Sequence, residues 1–169
     1  AVAGLAFAGW IEANLRDATV VVGTLAGYAM LMIFANRWGR RERHIDDIRM
    51  GDAVWIGMAQ ALALIPGTSR SGITITVARF LGIARQDAAR FSFLLSMPVI
   101  LMATGYKSVE LALGADPVPW TTLGFAALIS GMVAYLSIGF FMRVVSYVGL
   151  LPFAIYRLAL AAVILYVLV

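Results

Sequence analysis

The chain has 169 residues, 62% hydrophobic and 13% charged, with a formal net charge of +4 and no cysteine. Soluble domains carry about 25% charged residues, so this composition excludes an ordinary cytosolic globule, and it excludes disorder and a coiled coil as well. The missing cysteine excludes a disulfide scaffold.

Residues 18–36, 53–69, 91–106 and 117–142 carry no charge. A spanning helix needs roughly 20 apolar residues, and several of these runs qualify. The composition therefore predicts an all-α polytopic membrane protein, built as a single membrane domain over residues 1–169.

The chain opens Ala-Val-Ala-Gly-Leu-Ala-Phe-Ala without a methionine, and no basic residue precedes Arg16. A secretory leader would show a basic n-region. Residues 1–11 are read instead as the end of a span, and the chain as a fragment. Residues 1–49 hold that end, the polar stretch 12–17, one full span over 18–36 and a basic loop from Arg37 to His44.

Residues 50–84 change the pattern. The apolar piece 53–65 gives only about 20 Å of helix, short of a hydrocarbon core of about 30 Å. Pro66 and Gly67 break it. A second short piece, 73–81, follows the polar knot Thr68-Ser69-Arg70-Ser71. Two half-length helices hinged at Pro-Gly predict a re-entrant hairpin.

Residues 85–169 supply three transmembrane helices. Asp87 is expected to cap the first, which runs to about Leu113 with a kink at Pro98. A turn at 116–119 leads to a span over 117–142, and the last helix follows Pro152. Arg37, Arg40, Arg41, Arg43, Arg49, Arg85, Arg90 and Arg143 share one face if the hairpin returns to its own side, against Arg16 and Lys107 on the other. The positive-inside rule makes the arginine-rich face cytoplasmic and the C-terminus external. This asymmetry accounts for the net charge, so no nucleic-acid partner is expected.

Irregular backbone at membrane depth is tolerated only when buried in protein or lining a watery cavity, and an intramembrane arginine needs a partner. Arg70, Ser69 and Ser71 stand at the start of the second half-helix, where free N–H groups and the helix dipole favour an anion. Guanidinium, hydroxyls and amides together suit a phosphate. The other reading is that Thr68, Ser69 and Ser71 cap the helix while Arg70 snorkels. The residue types alone leave both open.

Gln60-Ala-Leu-Ala-Leu-Ile-Pro-Gly-Thr-Ser-Arg-Ser-Gly-Ile-Thr74, followed by Ala88-Ala-Arg-Phe-Ser-Phe-Leu-Leu-Ser-Met-Pro98 and by Tyr156-Arg157, resembles the bacterial undecaprenyl-diphosphate phosphatase family. The resemblance implies an enzyme that hydrolyses undecaprenyl diphosphate to undecaprenyl phosphate, the lipid carrier of cell-wall synthesis, and so confers bacitracin resistance. It implies a multi-pass protein of the inner membrane, made of two inverted repeats whose site opens to the periplasm. This chain would supply the second repeat. By the same resemblance, Arg70 binds the diphosphate with Ser69, Ser71 and Thr74 as catalytic partners, and Gly67, Thr68, Gly72 and Gln60 line the substrate. The family's glutamate motif, serine-rich loop and histidine find no match here. Its divalent cation (Mg or Ca) is therefore expected to take ligands from a complementary N-terminal portion, and this chain alone is expected to be inactive. A lipid-phosphate transporter or flippase is the alternative, because broken helices in inverted repeats also mark transporters.

The remaining polar residues read as structural. His44 is expected in a solvated loop, and Asp46, Asp47 and Asp52 in a salt-bridged one. Gln60 suits either the site or a helix contact. Arg157 is expected to snorkel toward the cytoplasmic face, with substrate contact as the other reading. Met97, Met102, Met132 and Met142 read as packing. Gly124, Ala127 and Gly131 form a small-residue stripe read as helix packing, with a homodimer contact as the other reading.

Overall fold

Asp17 starts the first helix, its carboxylate accepting from the Thr19 amide at 3.1 Å. The computed structural model describes residues 17–38, 43–114 and 119–168. These form α1 (Ala18–Trp38), α2 (Met50–Ala61), α3 (Arg70–Phe80), α4 (Arg85–Leu113), α5 (Trp120–Tyr147) and α6 (Leu151–Leu168), with 3-10 turns at Ile45–Asp47 and Leu62–Leu64. No strand occurs among the described residues, as an all-α fold requires. Helices α1, α4, α5 and α6 are long and apolar enough to cross a membrane. The expectations for residues 1–16, for Arg40 and Arg41, and for most of the turn at 116–119 lie outside the described residues.

Several boundaries differ from the sequence expectation. Helix α3 begins at Arg70, so Arg70 and Ser71 belong to its first turn rather than to the loop. Ala84, not Asp87, is the N-cap of α4. The cause is tertiary: Arg43 pairs its backbone with Gly82 and Ala84, at 2.9 and 2.8 Å, which fixes where the chain turns into the helix. Asp87 instead lies in the first turn and accepts from His44 Nδ1 at 3.2 Å. Pro98 does not end α4. Helix α5 continues past Arg143 because Val145, fully buried, belongs to the core. Helix α6 starts at Leu151, leaving Pro152 in a first turn that tolerates proline.

The short helix α3 is the centre of the fold. It packs against α1, α2 and α4, while α1 packs along α6. Gly72, Ile73, Thr74, Ile75, Thr76, Ala78 and Arg79 are all buried on it. The polar side chains among them each make a local hydrogen bond. Thr76 donates to the Gly72 carbonyl at 2.6 Å, and Arg79 Nη1 donates to the Ile83 carbonyl at 2.7 Å. Around α3 the apolar core joins Ala29 and Met32 of α1, Ile56 of α2, Ala88 and Ala89 of α4, Val145 of α5 and Ala154 of α6. In contrast, every described residue of 101–114 and 119–140 is exposed. This apolar surface suits lipid or a protein partner. Gly124 and Gly131 lie on it with open space where a Cβ would stand.

The basic loop locks the hairpin at its base. Arg43 Nη2 meets Asp52 Oδ2 at 2.6 Å and the Asp47 carbonyl at 2.7 Å, while Nη1 donates to the Leu81 carbonyl at 3.1 Å. The Arg49 amide donates to the same Asp52 oxygen at 2.9 Å. Asp52 is thus salt-bridged as expected, but from the first turn of α2 rather than from the loop, and His44 is exposed beside Asp87. Arg43, aided by the Arg49 amide, holds the Asp52 carboxyl below the ordinary aspartate range. A depressed carboxylate stabilises the fold above its unfolded pKa, and this contribution disappears as pH falls through the folded value. The thermal midpoint is therefore expected to drop as the pH is lowered below about 4, and Asp52→Asn is expected to lower the midpoint at neutral pH and shrink the acid step. An unchanged acid step in the variant would assign it to other carboxylates.

Candidate functional site: the Pro-Gly turn and the cavity beneath it

Residues 65–68 form a β-turn in which the Thr68 amide donates to the Ile65 carbonyl at 3.1 Å. Proline occupies the second position and Gly67 the third, with φ +86°. That is the residue order a type II turn demands. The turn leads into Ser69, whose hydroxyl accepts from the Gly72 amide at 3.1 Å and caps α3. Gly72 permits this closeness, because a Cβ there would stand 3.0 Å from Ser69 Cβ. The capping reading of Ser69 is therefore realised. It does not remove the hydroxyl from other work, since an oxygen that accepts from an amide still has its own proton to donate. The amides of Arg70 and Ser71, in the first turn of the helix, have no intrahelical acceptor.

A cavity of about 270 Å³ lies beside this turn. One part of its lining is polar, made by Ser69, Ser71 and Arg157. The rest is mainly apolar: Met32 from α1, Ile75 from α3, Phe141 from α5, Phe153 and Tyr156 from α6, and Leu150 before it. Phe141 packs on Phe153 at 4.9 Å and edge-on to Phe93 at 5.5 Å, which stiffens that wall. Ser69 Oγ and Ser71 Oγ are 3.4 Å apart.

Arg157 is the residue that sequence reasoning misplaced. It does not simply snorkel to the basic end. Half-buried, it lines the cavity and donates from Nη2 to the Gly67 carbonyl at 3.3 Å. Among the described residues it makes no ion pair. Its pairing with the turn spans 90 positions of sequence, and the only signal for it was the Tyr156-Arg157 part of the family pattern.

The other sequence-predicted residues divide. Ser69, Ser71 and Gly72 line the cavity, and Gly67 joins it through its carbonyl. Arg70, in the first turn of α3, is exposed and outside the lining. Thr74 is buried, with its hydroxyl bonded to Ser92 Oγ at 2.6 Å and to the Arg70 and Ser71 carbonyls at 3.0 and 3.1 Å. It fixes the first turn of α3 against α4. Thr68 Oγ1 and Gln60 Oε1 are buried without a hydrogen-bond partner among the described residues, and neither residue lines the cavity.

The chain matches the family "Bacitracin resistance protein BacA" over residues 1–163. It is 48% identical over 157 residues to the undecaprenyl-diphosphatase of Teredinibacter turnerae, a match covering 93% of this chain and 60% of the relative. It is 45% identical over 167 residues to undecaprenyl-diphosphatase 2 of Stutzerimonas stutzeri, covering 97% of this chain and 62% of the relative. The undecaprenyl-diphosphatase of Alteromonas mediterranea is also 45% identical, over 163 residues, with 96% and 61% covered. The chain thus spans about 60% of the length of these curated relatives. A multi-pass membrane chain with this turn, this cavity and these relatives belongs to the bacitracin resistance protein BacA family.

Proposed function

We propose that this chain holds the phosphate end of a polyprenyl diphosphate, and that the complete protein hydrolyses undecaprenyl diphosphate to undecaprenyl phosphate. The observation that carries this reading is the convergence of Arg157, Ser69 and Ser71 at the polar part of a cavity with otherwise mainly apolar walls. A guanidinium and hydroxyls beside a helix N-terminus suit a phosphate, while aromatic and aliphatic walls suit the first units of a prenyl chain. The relatives' printed names agree with that chemistry.

In this reading the donors act electrostatically. Charge grows on the phosphoryl oxygens and on the departing group, and preorganised N–H and O–H groups stabilise it. Ser69 and Ser71 donate from their hydroxyls, Arg157 from its guanidinium, and Arg70 from the cavity's margin. Thr74 contributes by holding the turn that presents them.

The divalent cation that the family resemblance implies does not fit these donors. The polar lining consists of hydroxyls and a guanidinium, whereas magnesium and calcium select carboxylate and carbonyl oxygens. Among the described residues no three His, Cys, Asp or Glu side chains gather. We therefore propose that its ligands and the proton-transfer groups come from the part of the relatives that this chain does not span.

The hairpin depth fits a site inside the bilayer. Arg70 stands about 15 Å along α3 from Phe80, roughly half of a hydrocarbon core of about 30 Å. With the arginine-rich end cytoplasmic, the turn sits near the midplane of the inner membrane and the site opens to the periplasm. The test is phosphate release from undecaprenyl diphosphate by the complete gene product in nanodiscs. Release supports hydrolysis. Movement of the lipid between leaflets without release would overturn it in favour of transport.

A further inference from the structure

We infer that Thr24 of α1 is a positioning residue for this site, fixing the Pro-Gly turn so that Arg157 can exchange its bond to the turn for a bond to phosphate. The inference rests on the functional reading above for its consequence, though not for its geometry.

Two consecutive carbonyls of the turn are held by two different helices. Thr24 Oγ1 donates to the Pro66 carbonyl at 2.7 Å, and Arg157 Nη2 donates to the Gly67 carbonyl at 3.3 Å. The first is a short hydroxyl bond. The second lies beyond the usual 2.7–3.2 Å range for N–H donors, as expected of a contact poised for exchange. A neutral carbonyl is also a weaker partner for a guanidinium than a phosphate, because ionised acceptors roughly double the bond strength. On substrate binding Arg157 is free to leave, and Thr24 is what remains to hold the turn.

The same threonine is a steric stop. A Cβ built on Gly67 would collide with Thr24 Oγ1 and would lie 2.9 Å from the Val21 carbonyl. The turn is therefore pressed against α1 as well as bonded to it. Helix α1 in turn packs on α6, which carries Arg157, and on α3, which carries Ser71 and is capped by Ser69. Only Thr68 separates Gly67 from Ser69, so a displaced turn displaces the cap and the cavity hydroxyls together.

A helical threonine also bonds back to its own helix, and Thr24 Oγ1 stands 3.0 Å from the Val21 carbonyl. One hydroxyl carries one proton, and the contact to Pro66 is the shorter. If the back-bond were its purpose, the turn would not feel its loss.

The experiment compares Thr24→Val, which keeps the shape and loses the proton, with Thr24→Ser, which keeps the proton. Thr24→Ala serves if the valine variant unfolds. In the complete gene product, amide hydrogen exchange over residues 68–72 is expected to rise about ten-fold in the valine variant and to return to within about two-fold in the serine variant, the scale of one hydrogen bond. The kcat for phosphate release is expected to fall about ten-fold with the melting temperature little changed, again rescued by serine. Unchanged exchange at the turn overturns the clamp. Raised exchange with unchanged kcat and KM overturns the positioning role. If the unaltered protein releases no phosphate, the functional reading fails, and the exchange data alone decide the clamp.

Discussion

Arg157→Gln is expected to reduce kcat/KM for phosphate release by about 100-fold or more, the range seen when one preorganised donor to a developing oxyanion is removed. The bundle should stay folded. Among the described residues Arg157 makes one hydrogen bond to the protein, at 3.3 Å, so little native structure depends on it. Removing a half-buried charge also lifts a desolvation cost that no ion pair offsets. Arg157→Lys restores the charge but not the planar fork that grips two phosphate oxygens, so partial recovery is expected. The same assay on Arg70→Ala tests the guanidinium that the sequence motif singles out, and full release from that variant would remove Arg70 from the site. Wild-type kinetics in Arg157→Gln would return Arg157 to a purely packing role, whereas a fall in melting temperature matching the lost activity would make it structural.

How far the sequence could be read follows from what each signal depends on. Charge-free runs need only composition, so three of the four long helices were legible from them, and α6 was legible from the apolar stretch after Pro152. Pro66 and Gly67 are local, and their order specifies the turn type without any tertiary information. The cap at Ser69 was legible for the same reason. What failed depended on distant partners. The start of α4 is fixed by Arg43, some forty residues earlier, and Asp87 merely looked like a better cap. Arg157 shows the limit most clearly: its place along α6 gives depth, but not which way it faces around the helix. Depth alone favoured the basic end. Arg79 was hidden in the second apolar piece, and its Nη1 donates to the Ile83 carbonyl across a turn that only the fold creates.

Gly67→Ala is expected to be strongly destabilising. At φ +86° an alanine pays roughly 1–2 kcal/mol for left-handed backbone, before any contact is counted. Its methyl would then strike Thr24 Oγ1 and crowd the Val21 carbonyl. A side-chain atom can yield, but a carbonyl inside a packed helix cannot do so cheaply, so the total is expected to reach on the order of 3 kcal/mol. Removing the threonine as well, in Gly67→Ala with Thr24→Ala, clears one obstacle of three and should recover only part of the loss. Phosphate release should fall with stability, because a turn pushed off α1 carries Ser69 with it. Gly124→Ala is the control. Nothing stands within 4 Å of its would-be Cβ, and alanine in a helix interior is favoured over glycine by up to about 1 kcal/mol. Thermal unfolding in nanodiscs should therefore move the two variants in opposite directions. A Gly67→Ala protein as stable as the parent would mean that the turn is free to relax, and the clamp at Thr24 would fall with it.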